Sequence, residues 1–189
     1  MNHRYLQKFQ IKDVVFLAIM SAVALATCAV MPLVISLQPL IFGISQLVTA
    51  LQIGVFFAIG LYKVRKPGSL LLMALMMGLI QLMMSPPMFL SSVLNGVLIE
   101  LIVLLLFRGY ERDAAVFCAA MLHTPLSLPF NYLYNRLIKG ADSPLAAVAG
   151  RAPLAAVGMT LAVVAVSALG ALIGIKIARE LKKSGVLKK

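Results

Sequence analysis

Charged residues in this chain stand in short clusters between long apolar runs, and the runs set its architecture. No Lys, Arg, Asp or Glu occurs from Val14 to Tyr62, a run of 49 residues. One membrane crossing takes about 20 apolar residues, so this run holds two. Proline and glycine cluster at its middle, at Met31-Pro32, Gln38-Pro39 and Gly43. The break predicts helix 1 over about 12–31, a non-helical linker over 32–43 and helix 2 over about 44–62. From Pro67 to Phe107 there is one acid, Glu100, and no base. This run divides at Ser85-Pro86-Pro87 into helix 3 over about 67–84 and helix 4 over about 88–108. The uncharged stretch from Ala114 to Asn135 predicts helix 5, kinked by Pro125 and Pro129. Helix 6 runs from about Pro153 to Lys176 and continues as a basic tail.

Composition places these helices in lipid. The chain is 62% hydrophobic and 12% charged, whereas a soluble domain is about a quarter charged. Mean hydropathy is +1.01. The expected fold class is an all-α membrane protein, a single six-transmembrane-helix bundle over residues 1–189, with no room for a soluble module. The first apolar run is too long for the core of a signal peptide and is read as the first span. Six spans put both termini on one side. The clusters on that side hold fourteen of the bases, and Arg136, Lys139 and Arg151 make up the other three. The positive-inside rule then places the N- and C-termini in the cytoplasm. The net charge of +11 is therefore explained by anionic headgroups and not by nucleic acid.

Few polar residues interrupt the spans. Glu100 is the one acid among them, and an ionisable group at that depth usually faces the bundle interior or a cavity. His123 on helix 5 lies at similar depth, and a Glu100–His123 hydrogen bond is an expected possibility beside a purely structural role. His123, Ser127, Asn131 and Asn135 recur every four residues, with Tyr132 and Tyr134 near the same end. Ser91, Ser92 and Asn95 on helix 4 and Gln81 on helix 3 add polar groups in the corresponding half. Interhelical hydrogen bonding explains each alone, and an aromatic belt explains the tyrosines. Their convergence from three consecutive helices predicts a cavity opening outward. The expected ligand-binding set is Gln81, Asn95, Glu100, His123, Ser127, Asn131 and Tyr134.

Small residues form two further patterns. Ala18, Ala22 and Ala26 lie four apart on helix 1, and Gly170 and Gly174 make a GxxxG on helix 6. Such strips let helices approach closely, and spacing alone favours packing within the chain. Cys28 and Cys118 read as buried thiols rather than a metal or redox site. No HExxH, GxSxG, phosphate loop or acid-rich phosphotransfer motif occurs, so neither an enzyme nor a resident cofactor or metal is expected.

Six helices in this length, the basic start running into IKDVVFLAIMSAVALA, and the uncharged linker after helix 1 together resemble the S components of energy-coupling factor vitamin importers. The stretches VRKPGSLLLMALMMGLIQLMMSPP and LNGVLIELIVLLLFR are more narrowly similar to the thiamine and hydroxymethylpyrimidine branch, the second including an acid at the place of Glu100. The chain departs from that branch where Ala74 and Gln81 stand in the places of helix 3 acids, and in having no Trp. A cationic thiazolium favours carboxylates and aromatic faces, so a precursor or a larger, less charged vitamin such as cobalamin stays open.

The resemblance implies a multi-pass protein of a prokaryotic cell membrane. It would bind a small water-soluble vitamin near the 32–43 linker and helices 4–6. It would work with a membrane-embedded T subunit and two cytoplasmic ATPases, with Ala18, Ala22 and Ala26 as the T-subunit contact. An autonomous proton-coupled transporter using Glu100 and His123 is the alternative, followed by a structural accessory subunit.

Overall fold

The computed structural model describes residues 8–28, 33–34, 36–37, 40–138, 140, 150 and 152–186. Pro32, Gln38 and Pro39 of the predicted linker lie outside the described residues, as do Arg4, Lys139, Asp142, Arg151, Lys188 and Lys189. Six helices and no strand are present among the described residues: α1 (Ile11–Thr27), α2 (Ile44–Lys63), α3 (Ser69–Leu82), α4 (Pro86–Phe107), α5 (Asp113–Ile138) and α6 (Pro153–Lys183). All six predicted helices are there, and α2 and α4 end within two residues of expectation.

Two ends differ from expectation for local reasons. α1 stops at Thr27 instead of 31. There the Cys28 amide donates to the Leu25 carbonyl at 3.0 Å, an i−3 bond that tightens the last turn, and the Thr27 hydroxyl donates back to the Ala24 carbonyl. Side-chain bonds of this kind compete with the helical ladder. α6 runs to Lys183 instead of 176. Its last turn carries Lys182 and Lys183, which the negative end of the helix dipole favours. Its 31 residues span about 46 Å at 1.5 Å per residue, longer than a hydrocarbon core of about 30 Å.

α2 is the central helix, packed on α1, α3, α5 and α6. Its closest neighbour is α6, and the contact is made by small residues. A Cβ on Gly170 would stand 2.5 Å from the Leu51 carbonyl oxygen, and one on Gly174 would meet the Val55 carbonyl. A Cβ on Gly54 would in turn reach the Ser167 carbonyl. The GxxxG of helix 6 thus packs within the chain. α3 and α4 meet in the same way, with Gly96 against Ala74. Ala74 is fully buried, so this position is a helix-packing contact.

The helices alternate in direction, so the bundle has two ends of different character. One is formed by the starts of α1, α3 and α5 and the finishes of α2, α4 and α6, and it carries Lys63, Arg65, Lys66, Arg108, Arg112 and Arg179. This basic half holds the main core: Leu17, Phe57, Leu61, Leu70, Met73, Ile99, Val103, Tyr110 and Val116, each fully buried. The other half, termed neutral because Arg136 is its one charged residue among those described, has a small buried cluster of Ala50, Leu128 and Val163. Large apolar side chains such as Leu101, Leu105, Leu161 and Leu172 are exposed on the outer faces, the distribution expected where lipid is the surrounding solvent.

Candidate functional site

In the neutral half the space between α2, α3, α4 and α5 is not filled by apolar side chains. A hollow of about 110 Å³ lies there. α2 contributes Ser45, Gln46, Thr49 and Ile53, and α3 contributes Met77 and Gln81. α4 contributes Met88, Ser91, Ser92 and Asn95, and α5 contributes His123, Thr124, Ser127 and Asn131. Helical spacing explains the convergence. Ser45 and Thr49 are four apart, as are Ser91 and Asn95, and His123, Ser127 and Asn131, so each set shares one face.

Five of the seven expected ligand-binding residues therefore meet in one place: Gln81, Asn95, His123, Ser127 and Asn131. Tyr134 is half-buried and is not part of the lining. Glu100 is a correction. Its carboxyl oxygens accept from the Gly68 amide at 2.6 Å and from the Tyr110 hydroxyl at 2.9 Å. Both partners belong to the loops of the basic end, so Glu100 ties α4 to them and does not meet His123. The acceptor lies at the N-cap of α3, where Gly68 adopts a positive φ of 88° and its amide points out of the helix. The expected location also shifts. The described lining comes from α2 to α5, with no residue of α6 and a contribution from α2 that the sequence pattern did not single out.

The helix 5 stripe is held in two ways. Ser127 donates to the Thr124 carbonyl, and Asn131 to the Ser127 carbonyl at 2.9 Å. Proline at 125 removes the amide that would serve the Met121 carbonyl four residues earlier. The Ser167 hydroxyl of α6 supplies the replacement at 2.7 Å. The stripe is thus fixed in place while its upper members bond along their own helix.

Three lining residues keep polar side-chain atoms that have no hydrogen-bond partner. Asn95 is 1% exposed, and His123 and Thr124 are each 3% exposed. The Asn95 amide nitrogen makes one long contact of 3.5 Å to the His123 carbonyl. Asn95 Oδ1, both His123 ring nitrogens and Thr124 Oγ1 have no hydrogen-bond partner. The His123 ring is tilted against Phe57 with centroids 4.5 Å apart. Buried polar atoms are ordinarily satisfied, and each unsatisfied one costs about 1–3 kcal/mol. Three such residues facing one hollow make it the candidate site.

The basic end contrasts in its electrostatics. Asp113 is bridged by Arg179 at 2.6 Å and by Arg65. Asp13 pairs with Lys66 at 2.7 Å. Arg65 stacks on the Tyr62 ring at 4.2 Å. Tyr110, fully buried in the loop between α4 and α5, has its phenol pushed well above the usual range, first by burial and then by the Glu100 carboxyl beside it.

On α1 the buried face is Leu17, Ser21 and Ala24. Ser21 anchors it by donating to the Met73 carbonyl of α3 at 3.2 Å. The alanine strip faces the other way: Ala18 is half-buried, and Ala22 and Ala26 are exposed.

Comparison with known proteins supports the membrane reading. A family model described as "Hypothetical bacterial integral membrane protein (Trep_Strep)" matches residues 11–183. No curated protein matches the chain. A solved structure described as "Crystal structure of an S-component of ECF transporter" superposes with a TM-score of 0.64 at 21% identity, over 95% of this chain and 89% of that one. At that identity the likeness establishes the fold.

Proposed function

The chain belongs to the Trep_Strep family of bacterial integral membrane proteins, and on that premise we propose that it is the solute-binding S component of an energy-coupling factor importer. It is a multi-pass protein of the bacterial membrane with the fold of an S component. The observation that carries the proposal is the hollow: polar faces of four helices meet in a bundle whose other half holds the main apolar core. A small water-soluble vitamin or precursor enters it from the neutral end. The fourteen-to-three distribution of bases puts that end outside the cell and the basic end, with both termini, in the cytoplasm.

Delivery inward requires a T subunit and two ATPases in this reading, since nothing in the sequence binds nucleotide. The exposed strip of Ala18, Ala22 and Ala26 is the proposed T-subunit contact. Small side chains on an outward face let a second membrane helix approach closely. The thiamine branch remains the proposed relationship within the family. The absence of a carboxylate among the described lining residues supports a neutral precursor over thiamine itself. A proton-coupled carrier has less support, because Glu100 and His123 do not form a relay.

Uptake into vesicles tests the assignment. Vesicles holding this chain with its T subunit and ATPases should accumulate solute with ATP, and vesicles holding the chain alone should only bind it. ATP-independent accumulation by the chain alone would overturn the S-component reading. The contact is tested separately. Ala22→Trp should leave solute affinity unchanged and abolish co-purification with the T subunit. Retained co-purification would move the contact elsewhere.

A further inference from the structure

The chain has six acids. Five are described, and all of them lie at the basic end: Asp13, Glu100, Glu111, Asp113 and Glu180. The sixth, Asp142, lies outside the described residues. No Asp, Glu, Lys or Arg is among the described residues lining the hollow. Among the described lining residues a cation would find no counter-charge, and an anion would find no base. Burying either ion without a partner is strongly unfavourable.

The lining instead offers uncharged donors and acceptors. Gln46, Gln81 and Asn95 bring carboxamides from three different helices. His123 and Thr124 bring an imidazole and a hydroxyl with no partner in the protein. A carboxamide and a neutral imidazole each present both donor and acceptor character. Ile53, Met77 and Met88 supply apolar wall. The volume of about 110 Å³ compares with the ~150 Å³ of a protein cavity that admits benzene.

We propose that the occupant is an electrically neutral solute of about single-ring size that carries hydrogen-bond donors and acceptors together on one edge, as a carboxamide or an amino-substituted nitrogen heterocycle does. This rests on the S-component reading and specifies its substrate class. Asn95, His123 and Thr124 read the polar edge, and the methionines and Ile53 cover the ring. A permanent cation such as a thiazolium, or a carboxylate anion, is rejected for want of a counter-charge.

The test uses the full-length chain, purified from its native membrane in a lipid nanodisc and denatured to release retained small molecules for mass spectrometry. Thr124→Val and Asn95→Leu are prepared alongside, and each is first shown to unfold at a temperature near that of the unaltered chain. Thr124→Val keeps the side-chain shape and serves where Asn95→Leu does not fold. The expected result is a retained solute that is uncharged at neutral pH, with occupancy lowered about tenfold in each variant. A retained solute of fixed charge, still lost on Asn95→Leu or Thr124→Val, would overturn neutrality and leave the S-component reading standing. The same holds for a cation lost on Asp142→Asn but not on Thr124→Val. If the unaltered chain retains no more solute than the variants, the hollow is not a binding site, and both readings fall.

Discussion

The two halves of this bundle are built from the same six helices and obey opposite rules. In the basic half the buried Glu100 and Tyr110 are paired with each other, and the acids Asp13 and Asp113 nearer the surface are paired with bases. Glu100 serves Gly68 and Tyr110, Asp113 serves Arg65 and Arg179, and Lys66 serves Asp13. Ser69 is the exception, with a buried hydroxyl left unpaired. Between these pairs the core is solid, from Leu17 through Phe57 to Val116. In the neutral half Asn95, His123 and Thr124 are more deeply buried than those ion pairs, and Asn95 Oδ1, both His123 ring nitrogens and Thr124 Oγ1 have no hydrogen-bond partner. Glu100 is 6% exposed, nearly as deep as these three, so depth alone does not separate the halves. Satisfaction of hydrogen bonds does, and it distinguishes polar residues kept for the fold from polar residues kept for an occupant.

The contrast depends on α2 and α6 being locked together, since α2 forms one wall of the hollow and also carries Phe57 and Leu61 of the core. Gly174→Leu is the largest perturbation expected. Its side chain would have to occupy the position of the Val55 carbonyl and the Ala58 methyl. Backbone does not yield as a flexible side chain would, so a loss of about 4 kcal/mol or more is expected, against about 1–3 for ordinary overpacking. Thermal unfolding in detergent should show loss of the cooperative transition. A variant that melts within a few degrees of the unaltered chain would mean that the helices are not in contact at this point.

A smaller effect distinguishes the halves directly. Glu100→Leu leaves the Gly68 amide and the Tyr110 hydroxyl without an acceptor. One buried and one part-buried donor orphaned at about 1–3 kcal/mol each give about 2–6 kcal/mol of destabilisation at most. Solute occupancy of the protein that remains folded should be unchanged, because Glu100 does not line the hollow. Thr124→Val should do the reverse, leaving the empty protein as stable as the unaltered chain or more stable by up to about 1–3 kcal/mol, since it removes a buried unpaired hydroxyl, and lowering occupancy. If Glu100→Leu lowers occupancy with stability intact, the division between the halves is wrong.

How far the pattern of residues reveals this division depends on what each group bonds to. The helices are legible because lipid excludes charge, and the gaps between charges mark them out. The stripe of His123, Ser127 and Asn131 is legible because four-residue spacing is a property of the sequence. Ser45 and Thr49 carry the same signal on α2, yet they stand beside the Gly43 break and read there as an ordinary helix start. Glu100 is not legible in the same way. Its partners are a backbone amide and a tyrosine in a loop, and neither is encoded by spacing along α4. The glycines of α6 show a related limit: GxxxG specifies that something packs closely, and only the fold shows that it is Leu51 and Val55.

The smallest effect concerns Tyr110 and its pH dependence. Burial, and then the Glu100 carboxyl, hold its phenol in the neutral form to a pH well above its ordinary value near 10. In the unfolded chain the phenol ionises at that ordinary value. A folded-state value raised above the unfolded one gives stability that is complete below about pH 10 and is lost as pH rises beyond it. Unfolding midpoints should therefore be flat in this residue's contribution up to about pH 10 and fall above it. Tyr110→Phe costs about 1–2 kcal/mol at neutral pH for the lost hydrogen bond, and it removes this part of the alkaline slope. The penalty relative to the unaltered chain should accordingly shrink above pH 10. A penalty constant through that range would mean that the phenol is not sealed within the basic half.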